Sequence, residues 1–414
     1  MSASYRFLLS TTLLAILCTG LHAEDWPQWQ GPNRDGVSSE TALSAKWPEA
    51  GPPIVWQIND LGDGYGAVSI VDGVIYLIVN QGLDNELVKA LDATNGQTLW
   101  ATRIGKVGNP DQKPSYPAAR STPTIDGEMA YVLGSDGDLV CLKAKSGEVV
   151  WQKNVRSEYD GKPGTWAYSE SPLVDGNKVI VTPGGPEVGI VAVDKMTGKT
   201  IWEAKTPEMG AAAYASVQKI TAAGKPQYVA FMANGLAGVS AEDGTFLWSY
   251  TRTKGIANMP TPVIDGEVVY SGGSRAGGGA VRLVAQQLGV LSEELYFDPK
   301  LPTAIGGAVK VGDYLYGCSN STLMCVNFLT GKIAWQERIS AAASILFADG
   351  RLYLHTEDGK VMMVAATPEK LDMISEFTLP DQPEGTGKEW AYPALANGKL
   401  YLRQHGTIWC YGMK

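Results

Sequence analysis

Histidine is the scarcest ionisable residue of the chain, and its scarcity narrows the chemistry that the protein can perform. Only His22, His355 and His405 occur among 414 residues. Their spacing does not match that of a zinc-binding motif, in which ligands recur a few residues apart. A zinc centre or a serine–histidine–aspartate triad therefore has little support, and we expect no bound metal.

Clustered positive charge is missing as well. The chain has 34 Lys and Arg residues against 43 Asp and Glu residues, a formal net charge of −9, and no run rich in Lys or Arg. Binding of nucleic acid requires basic side chains grouped against the phosphates, so we expect no nucleic-acid partner. After the first residues there is no apolar run long enough to span a membrane, and we expect no transmembrane segment in the mature chain.

The N-terminus has the pattern of a secretory signal over residues 1–23. Arg6 supplies the positive start, Phe7 to Leu17 is mostly apolar, and Ala23 provides a small residue at the cleavage site. This pattern predicts export to the periplasm or the cell surface of a bacterium. Cys18 raises lipid anchoring as an alternative, which is disfavoured because Leu17 stands where a lipoprotein signal has a small residue.

Two markers recur along the rest of the chain. The first is a turn dipeptide followed by alternating apolar residues: Asp72-Gly73, Asp126-Gly127, Asp175-Gly176, Ala223-Gly224, Asp265-Gly266, Gly312-Asp313, Asp349-Gly350 and Asn397-Gly398. The second is a glycine followed four residues later by Trp: Gly96 and Trp100, Gly147 and Trp151, Gly198 and Trp202, Gly244 and Trp248, Gly331 and Trp335. Tyr296 and Phe377 lie near the Trp place in two further repeats. These positions are separated by 39 to 51 residues, which suits a four-stranded propeller blade.

The repeats predict an all-β fold, an eight-bladed β-propeller with four-stranded blades over residues 51–414, preceded by an extended segment over residues 24–50. The eighth repeat ends at Lys414 without a Trp strand, whereas a single Trp strand, Ile54 to Ile58, precedes the first repeat. We expect this N-terminal strand to complete the last blade, because such closure leaves no open seam in the ring.

The cysteines of the mature chain are expected to be free and buried. Cys141 and Cys325 lie six residues before their turn glycines, and Cys410 looks equivalent, so these three fill a small-residue position in separate blades. Cys318 shares a hairpin with Cys325, but a turn at Asn320-Ser321 would place it opposite Leu323.

The segments Leu91 to Trp100 and Val193 to Trp202 resemble the repeat of the pyrroloquinoline-quinone (PQQ)-like propeller family. In that family the Trp of one blade docks on the turn of the next. The resemblance implies a structural docking role for six residues: Trp56, Trp100, Trp151, Trp202, Trp248 and Trp335. It covers nearly all of the chain after residue 50, and the opening Asp25 to Gly36 resembles that of secreted bacterial members.

Two branches of this family differ in function. Quinoprotein dehydrogenases hold PQQ and calcium at the funnel of the ring, and the alcohol dehydrogenases among them often carry a disulfide between adjacent cysteines. Proteins that resemble BamB are non-enzymatic subunits of an outer-membrane assembly machine. The present chain has no Cys-Cys dipeptide, and it is close in length to the second branch.

Candidate binding residues lie just before the first strand of each repeat, a place that lines one mouth of the channel in propellers. They share similar offsets from the turn dipeptides: Tyr65, Arg120, Tyr168, Glu170, Tyr214, Asn258, Trp390 and Tyr392. Such a mouth would bind a small ligand or a loop of a partner; alternatively, its aromatics only plug the funnel. The glycine-rich stretch Gly272 to Gly279 lacks the helix of a phosphate-binding loop and predicts a long flexible hairpin loop.

The sequence favours an exported, monomeric, non-catalytic propeller for binding or assembly, BamB-like in the broad sense, which acts on an envelope protein or a small ligand. No nucleophile–base pair is evident, so we assign no catalytic residue and expect no cofactor. The first alternative is a PQQ-dependent dehydrogenase of alcohols or sugars with PQQ and calcium, for which Glu170, Asn258 and Asp63 offer few calcium ligands. The second is a carbohydrate-binding propeller.

Overall fold

The computed structural model describes residues 24–112, 116–287, 289–380 and 388–414. The predicted signal and Cys18 lie outside these residues. The described chain forms eight four-stranded antiparallel sheets and one short helix, Val155–Glu158. No helix in these ranges has the length and apolar character needed to cross a membrane.

Each sheet is one blade, and the blades are numbered here in chain order. Blade 1 comprises Ser69–Val71, Val74–Gln81, Asn85–Asp92 and Thr98–Gly105, and blade 2 comprises Thr124–Asp126, Met129–Leu133, Asp138–Lys143 and Val149–Asn154. Blade 3 comprises Leu173–Asp175, Lys178–Val181, Ile190–Asp194 and Thr200–Ala204, and blade 4 comprises Gln218–Ala222, Lys225–Met232, Gly235–Ser240 and Phe246–Tyr250. Blade 5 comprises Val263–Asp265, Val268–Gly273, Gly277–Gln286 and Gly289–Asp298, and blade 6 comprises Ala308–Val311, Tyr314–Ser319, Thr322–Asn327 and Ile333–Arg338. Blade 7 comprises Ala343–Ala348, Arg351–Thr356, Lys360–Ala365 and Met373–Thr378, and blade 8 comprises Ala394–Ala396, Lys399–Gln404, Thr407–Gly412 and Ile54–Ile58. The predicted eight-bladed propeller is confirmed.

The N-terminal strand closes the ring as predicted. Strand Ile54–Ile58 pairs antiparallel with the last strand of the chain, with Trp56 opposite Cys410 and Ile58 opposite Ile408. Blade 8 therefore combines three strands from the end of the chain with one from its beginning. This pairing covers the strand edge that an incomplete eighth blade would otherwise expose.

Aromatic side chains on the outer strands join neighbouring blades. The indole N–H groups of Trp56, Trp100, Trp151 and Trp335 donate to backbone carbonyls of the next blade at 2.8–3.1 Å. The ring of Trp56 lies on Gly96, whose φ of 75° and lack of a side chain both suit the contact. Tyr296, at a Trp place, makes the same type of link, since its hydroxyl donates to the Phe328 carbonyl at 2.7 Å.

Two tryptophans of the set depart from this hydrogen-bond pattern. The Trp202 ring lies on Gly244 of the next blade, but its buried indole nitrogen has no hydrogen-bond partner among the described residues. Trp248 donates instead to the Gln227 side chain of its own blade at 2.7 Å. The tryptophans therefore dock through packing of their indole side chains, and only some of them also make the hydrogen bond between blades.

The four cysteines in the described ranges are free and buried, as expected. Cys141, Cys325 and Cys410 lie opposite Trp151, Trp335 and Trp56, respectively. Other blades place a small residue opposite the ring as well, Ala90 opposite Trp100 and Gly238 opposite Trp248. A small side chain is needed there because the large ring lies across the neighbouring strand. Cys318 pairs with Leu323, as the predicted turn requires.

The segment 24–50 does not lie on the outside of the ring but runs through the central channel. In each blade the first strand is innermost, and the segment contacts first strands or adjoining residues on every blade. Its partners are Ile70, Ile125, Pro172, Gln218, Thr261, Val309, Phe347 and Gly398, in blade order. Such a set is reachable only from the axis. Beyond residue 40 the segment leaves between blades 7 and 8, where the Trp47 backbone N–H donates to Ser375.

The glycine-rich stretch is not the long flexible loop that was predicted; that prediction is wrong. Strands Val268–Gly273 and Gly277–Gln286 extend into it and leave a turn of three residues, Ser274 to Ala276. Its glycines permit close backbone packing, because a Cβ on Gly273 would lie 1.8 Å from the Thr253 carbonyl oxygen. Sequence composition alone did not distinguish close packing from flexibility, since both favour glycine.

A candidate ligand-binding cavity at one mouth of the channel

One mouth of the channel opens into a cavity of about 360 Å³. Seven aromatic side chains line it: Trp29, Tyr65, Tyr116, Trp166, Tyr214, Trp390 and Tyr392. Two arginines, Arg120 and Arg275, complete the charged part of the wall. The lining comes from loops before the first strands of several blades, which converge because those strands surround the axis. A concave, mostly apolar site with a few polar groups is the usual form of a small-molecule site.

Arg120 lies among the rings of the wall. Its guanidinium carbon is 5.2 Å from the centre of the Tyr65 ring and 5.8 Å from that of Trp390, within the range of cation–π attraction. The guanidinium also donates to the Tyr116 carbonyl oxygen. Tyr116 and Tyr65 both contact Trp390, with ring centres 5.0 and 4.8 Å apart. The four side chains thus hold one another in fixed positions.

The N-terminal segment supplies the inner end of the cavity. Trp29 donates its indole N–H to the Thr261 hydroxyl at 2.9 Å and packs edge-on against Tyr392, with ring centres 4.4 Å apart. Tyr392 in turn donates to the Ile305 carbonyl at 2.8 Å. Because the segment fills the channel beneath Trp29, we describe the cavity as a blind pocket rather than as the entrance of an open pore.

The structure brings together five of the eight candidate residues chosen from the sequence. Tyr65, Arg120, Tyr214, Trp390 and Tyr392 line the cavity. The other three lie inside the wall and make structural hydrogen bonds. Tyr168 donates to the Pro183 carbonyl, Glu170 accepts from the Thr182 hydroxyl, and Asn258 donates to the Met232 carbonyl.

Several lining residues were absent from the sequence-based set. Trp29 lies on a segment without a repeat marker, and Tyr116 and Trp166 precede their markers by more than the offset used. Arg275 belongs to the glycine-rich turn and has a φ of 65°, an uncommon conformation for a residue other than glycine. The place of Arg275 at the cavity wall is visible only in the structure.

The electrostatics of the cavity favour negative charge in a ligand. Burial lowers the pKa of Arg120, while Tyr65, Tyr214 and Glu86 act in the opposite direction. The Arg120 guanidinium contacts aromatic rings and a carbonyl oxygen and forms no ion pair with a described carboxylate. Arg275 makes no side-chain hydrogen bond or ion pair with any described residue. Burial also raises the pKa of Tyr65 and of Tyr214, so both hydroxyls stay protonated at neutral pH.

A second, polar depression adjoins the cavity and is called the groove here. It has a volume of about 760 Å³ and shares five residues with the cavity wall: Met259, Ser274, Arg275, Ile305 and Trp390. It runs over the turns of blades 5 to 7. The carboxylate of Glu357 in the groove is already engaged, by Lys388 at 2.7 Å and by the Trp390 indole at 2.8 Å. The cavity and the groove together form one continuous cleft.

The donor set does not fit the calcium ion of a quinoprotein site. Calcium takes six to eight oxygen ligands, mostly from carboxylates and carbonyls. The described residues that line the cavity include no Asp, Glu, Asn or Gln. Glu170, one of the three calcium candidates from the sequence, accepts hydrogen bonds from both the backbone and the hydroxyl of Thr182.

Behind the wall, a buried carboxyl group makes the stability of the fold depend on pH. Burial raises the pKa of Glu86 to about 8, against the lowering effect of the Ser135 N–H, which it accepts at 2.9 Å. Asp138 and Asp136 add to the increase. Because the folded state retains this proton above the ordinary value of 4.5, stability falls as pH rises through the range between 4.5 and about 8.

We therefore expect the melting temperature of Glu86→Gln to rise relative to that of the wild type as pH increases from 5 to 9. The amide keeps an acceptor for the Ser135 N–H and carries no charge, so the penalty of ionising a buried group disappears. The exposed Glu148→Gln serves as the control and should show no such trend. A difference between wild type and Glu86→Gln that is independent of pH would contradict the assignment.

Comparison with known proteins identifies the family. The family model described as "Outer membrane protein assembly factor BamB" matches residues 84–337, more than half of the chain. The chain belongs to this family of PQQ-like repeat propellers. The propeller of the crystal structure of BamB from Moraxella catarrhalis superposes with a TM-score of 0.62 at 14% identity, covering 87% of this chain and all of that one.

Members of both functional branches are similar to this chain. The dehydrogenase subunit of the quinone alcohol dehydrogenase of Komagataeibacter europaeus is 30% identical over 143 residues, 33% of this chain and 19% of that protein. BamB of Salmonella typhimurium is 26% identical over 121 residues, 29% of this chain and 28% of that protein. A europium-containing methanol dehydrogenase superposes with a TM-score of 0.68 at 12% identity, covering 92% of this chain and 89% of that one.

The short matched regions and the low identities limit what these similarities show about function. The matched region spans less than a third of each curated relative. The structural similarities lie below 25% identity and show the fold alone. The family is therefore established, whereas the choice between binding and oxidation depends on the residues of the cavity.

Proposed function

We propose that the protein is a non-catalytic binding propeller that takes a small ligand in the aromatic cavity at the channel mouth. The observation that carries this proposal is the lining: seven aromatic rings and two arginines converge on one blind pocket. Its N-terminal leader is typical of export, so the protein is proposed to act in the periplasm or at the cell surface.

The lining also supports binding rather than catalysis. Proton transfer or nucleophilic attack requires a base within hydrogen-bond reach of the reacting group. The cavity wall, as far as it is described, offers tyrosine hydroxyls and two arginines, but neither carboxylate nor imidazole. Burial raises the pKa of the Tyr65 and Tyr214 hydroxyls, which keeps them protonated at neutral pH. Such groups hold and orient a ligand.

A quinone cofactor has partial support from the same wall, since PQQ is a flat anion and Arg120 and Arg275 are cations. Its calcium partner, however, lacks a set of oxygen ligands on the cavity surface. We therefore propose that calcium-dependent alcohol or sugar oxidation is not the function of this chain. An envelope protein that inserts a loop into the cavity is the alternative occupant.

The proposal is tested by titration with anilinonaphthalene sulfonate, a flat anionic dye whose fluorescence rises in apolar sites. We expect one saturable site per chain, accompanied by quenching of tryptophan fluorescence. Trp390→Ala should weaken binding about tenfold or more, because the ring contacts Tyr65, Tyr116 and Arg120 and forms part of the wall.

The matched control is Phe246→Ala, which removes from the outer strand of blade 4 an aromatic ring that lines neither the cavity nor the groove. It should leave dye affinity unchanged. Absence of a saturable site in the wild type, or equal affinities for wild type and Trp390→Ala, would contradict the proposed binding function.

A further inference from the structure

The cleft is longer than its aromatic end. The cavity and the groove share Arg275, Ile305 and Trp390, so a ligand seated on the rings can continue outward over blades 5 to 7 without leaving the protein surface. A compact flat molecule would occupy the cavity and leave the groove empty. The shape therefore favours an elongated ligand with apolar faces at one end.

The groove is lined by polar side chains that the fold does not use. Ser274, Thr303, Ser319, Asn320 and Ser321 line it, and none of these five side chains is hydrogen-bonded to a described residue. Hydroxyl and amide groups donate and accept, which matches a ligand edge that carries many hydroxyl groups. The aromatic end provides the flat apolar surfaces on which the C–H face of a pyranose ring packs. Alternation of apolar face and hydroxyl edge is the chemistry of a sugar chain.

The charge of the cleft adds a further requirement. Glu357, the carboxylate of the described lining, is neutralised by Lys388, whereas Arg120 and Arg275 form no ion pair with a described carboxylate. The cleft is thus net positive on a chain whose overall charge is −9. A guanidinium is well suited to hold a carboxylate or a sulfate through paired N–H donors. Local positive charge on an acidic protein favours an anionic ligand.

We propose that the cleft binds an acidic oligosaccharide, with a pyranose ring packed on the aromatic residues and an anionic substituent held by Arg275. This inference rests on the proposed binding function and specifies its ligand class. Uronate and sulfate substituents share the required chemistry. The left-handed backbone of Arg275, fixed at the tip of a tight hairpin, positions the guanidinium at the junction of cavity and groove.

The test uses the full mature chain and calorimetric titration with three probes of equal length. The probes are oligogalacturonate, its methyl ester, and a chondroitin sulfate oligosaccharide. We expect one or both acidic probes to bind and to displace the dye, with binding that weakens as salt rises. The methyl ester, which has the same sugar rings without the charge, should bind at least about tenfold more weakly.

The variant Arg275→Gln should lose about tenfold or more in affinity for the acidic probe, because a charge-assisted hydrogen bond is removed. Arg282→Gln, an exposed arginine on the same hairpin, is the matched control and should bind as the wild type does. Equal binding of oligogalacturonate and its methyl ester, or full affinity in Arg275→Gln, would overturn the proposal. Failure of every saccharide while the dye still binds overturns this inference and leaves the binding function standing; failure of the dye overturns both.

Discussion

Deletion of residues 50–60 is expected to destabilise the whole propeller rather than one blade. The deletion removes the outer strand of blade 8 and with it the pairing of Ile54 to Ile58 with the last strand. It also removes Trp56, whose indole links blade 8 to blade 1 through the Ala93 carbonyl at 3.1 Å. Loss of a large packed aromatic side chain alone costs about 3–5 kcal/mol. We expect the melting temperature to fall by on the order of 10 °C.

The control retains the strand and changes only its exposed side chains, Ile54→Thr together with Val55→Thr. Both side chains are about half exposed, and the backbone ladder does not need them. This variant should melt within a few degrees of the wild type, since Thr is well tolerated in strands. A deletion variant that keeps the melting temperature of the wild type would show that the ring does not depend on this strand.

The fold was predictable from sequence because its signals are local and repeated. A turn dipeptide, two alternating strands and a Trp four residues after a glycine specify one blade, and repetition specifies the ring. The unpaired Trp strand at Ile54 to Ile58 and the missing one after Asn397 indicated the closure. Even the small residues opposite the rings followed a fixed offset, which placed Cys141 and Cys325 correctly.

The candidate site was only partly predictable. A shared offset from the turn dipeptide fixes a position along the chain but not the direction in which the side chain points. Tyr65 and Arg120 therefore reach the cavity, whereas Tyr168 and Glu170 point into the wall and bond to Pro183 and Thr182.

The route of the N-terminal segment had no signal in the repeat pattern. Trp29 lies outside every repeat, and its position at the inner end of the cavity follows from long-range contacts such as that with Thr261, 232 residues away. Arg275 was hidden in a stretch whose glycines suggested flexibility. Residues of this type are found only when the tertiary structure is known.

We also expect the protein not to oxidise alcohols, the activity for which several of its relatives are named. We expect no turnover because the described cavity wall has no carboxylate or carboxamide to hold calcium and no base to accept a proton. The two arginines would still attract the carboxylates of free PQQ. We therefore expect at most weak binding of PQQ that is independent of calcium.

Binding without catalysis is tested by dye-linked oxidation of alcohols and sugars after incubation of the purified protein with PQQ and calcium. A reconstituted quinone alcohol dehydrogenase serves as the positive control. We expect activity no higher than that of heat-inactivated protein, and no calcium-dependent retention of quinone absorbance after gel filtration. Stoichiometric quinone together with turnover, both lost in Arg120→Ala or Glu170→Gln, would rule out a purely binding function and identify the protein as a dehydrogenase.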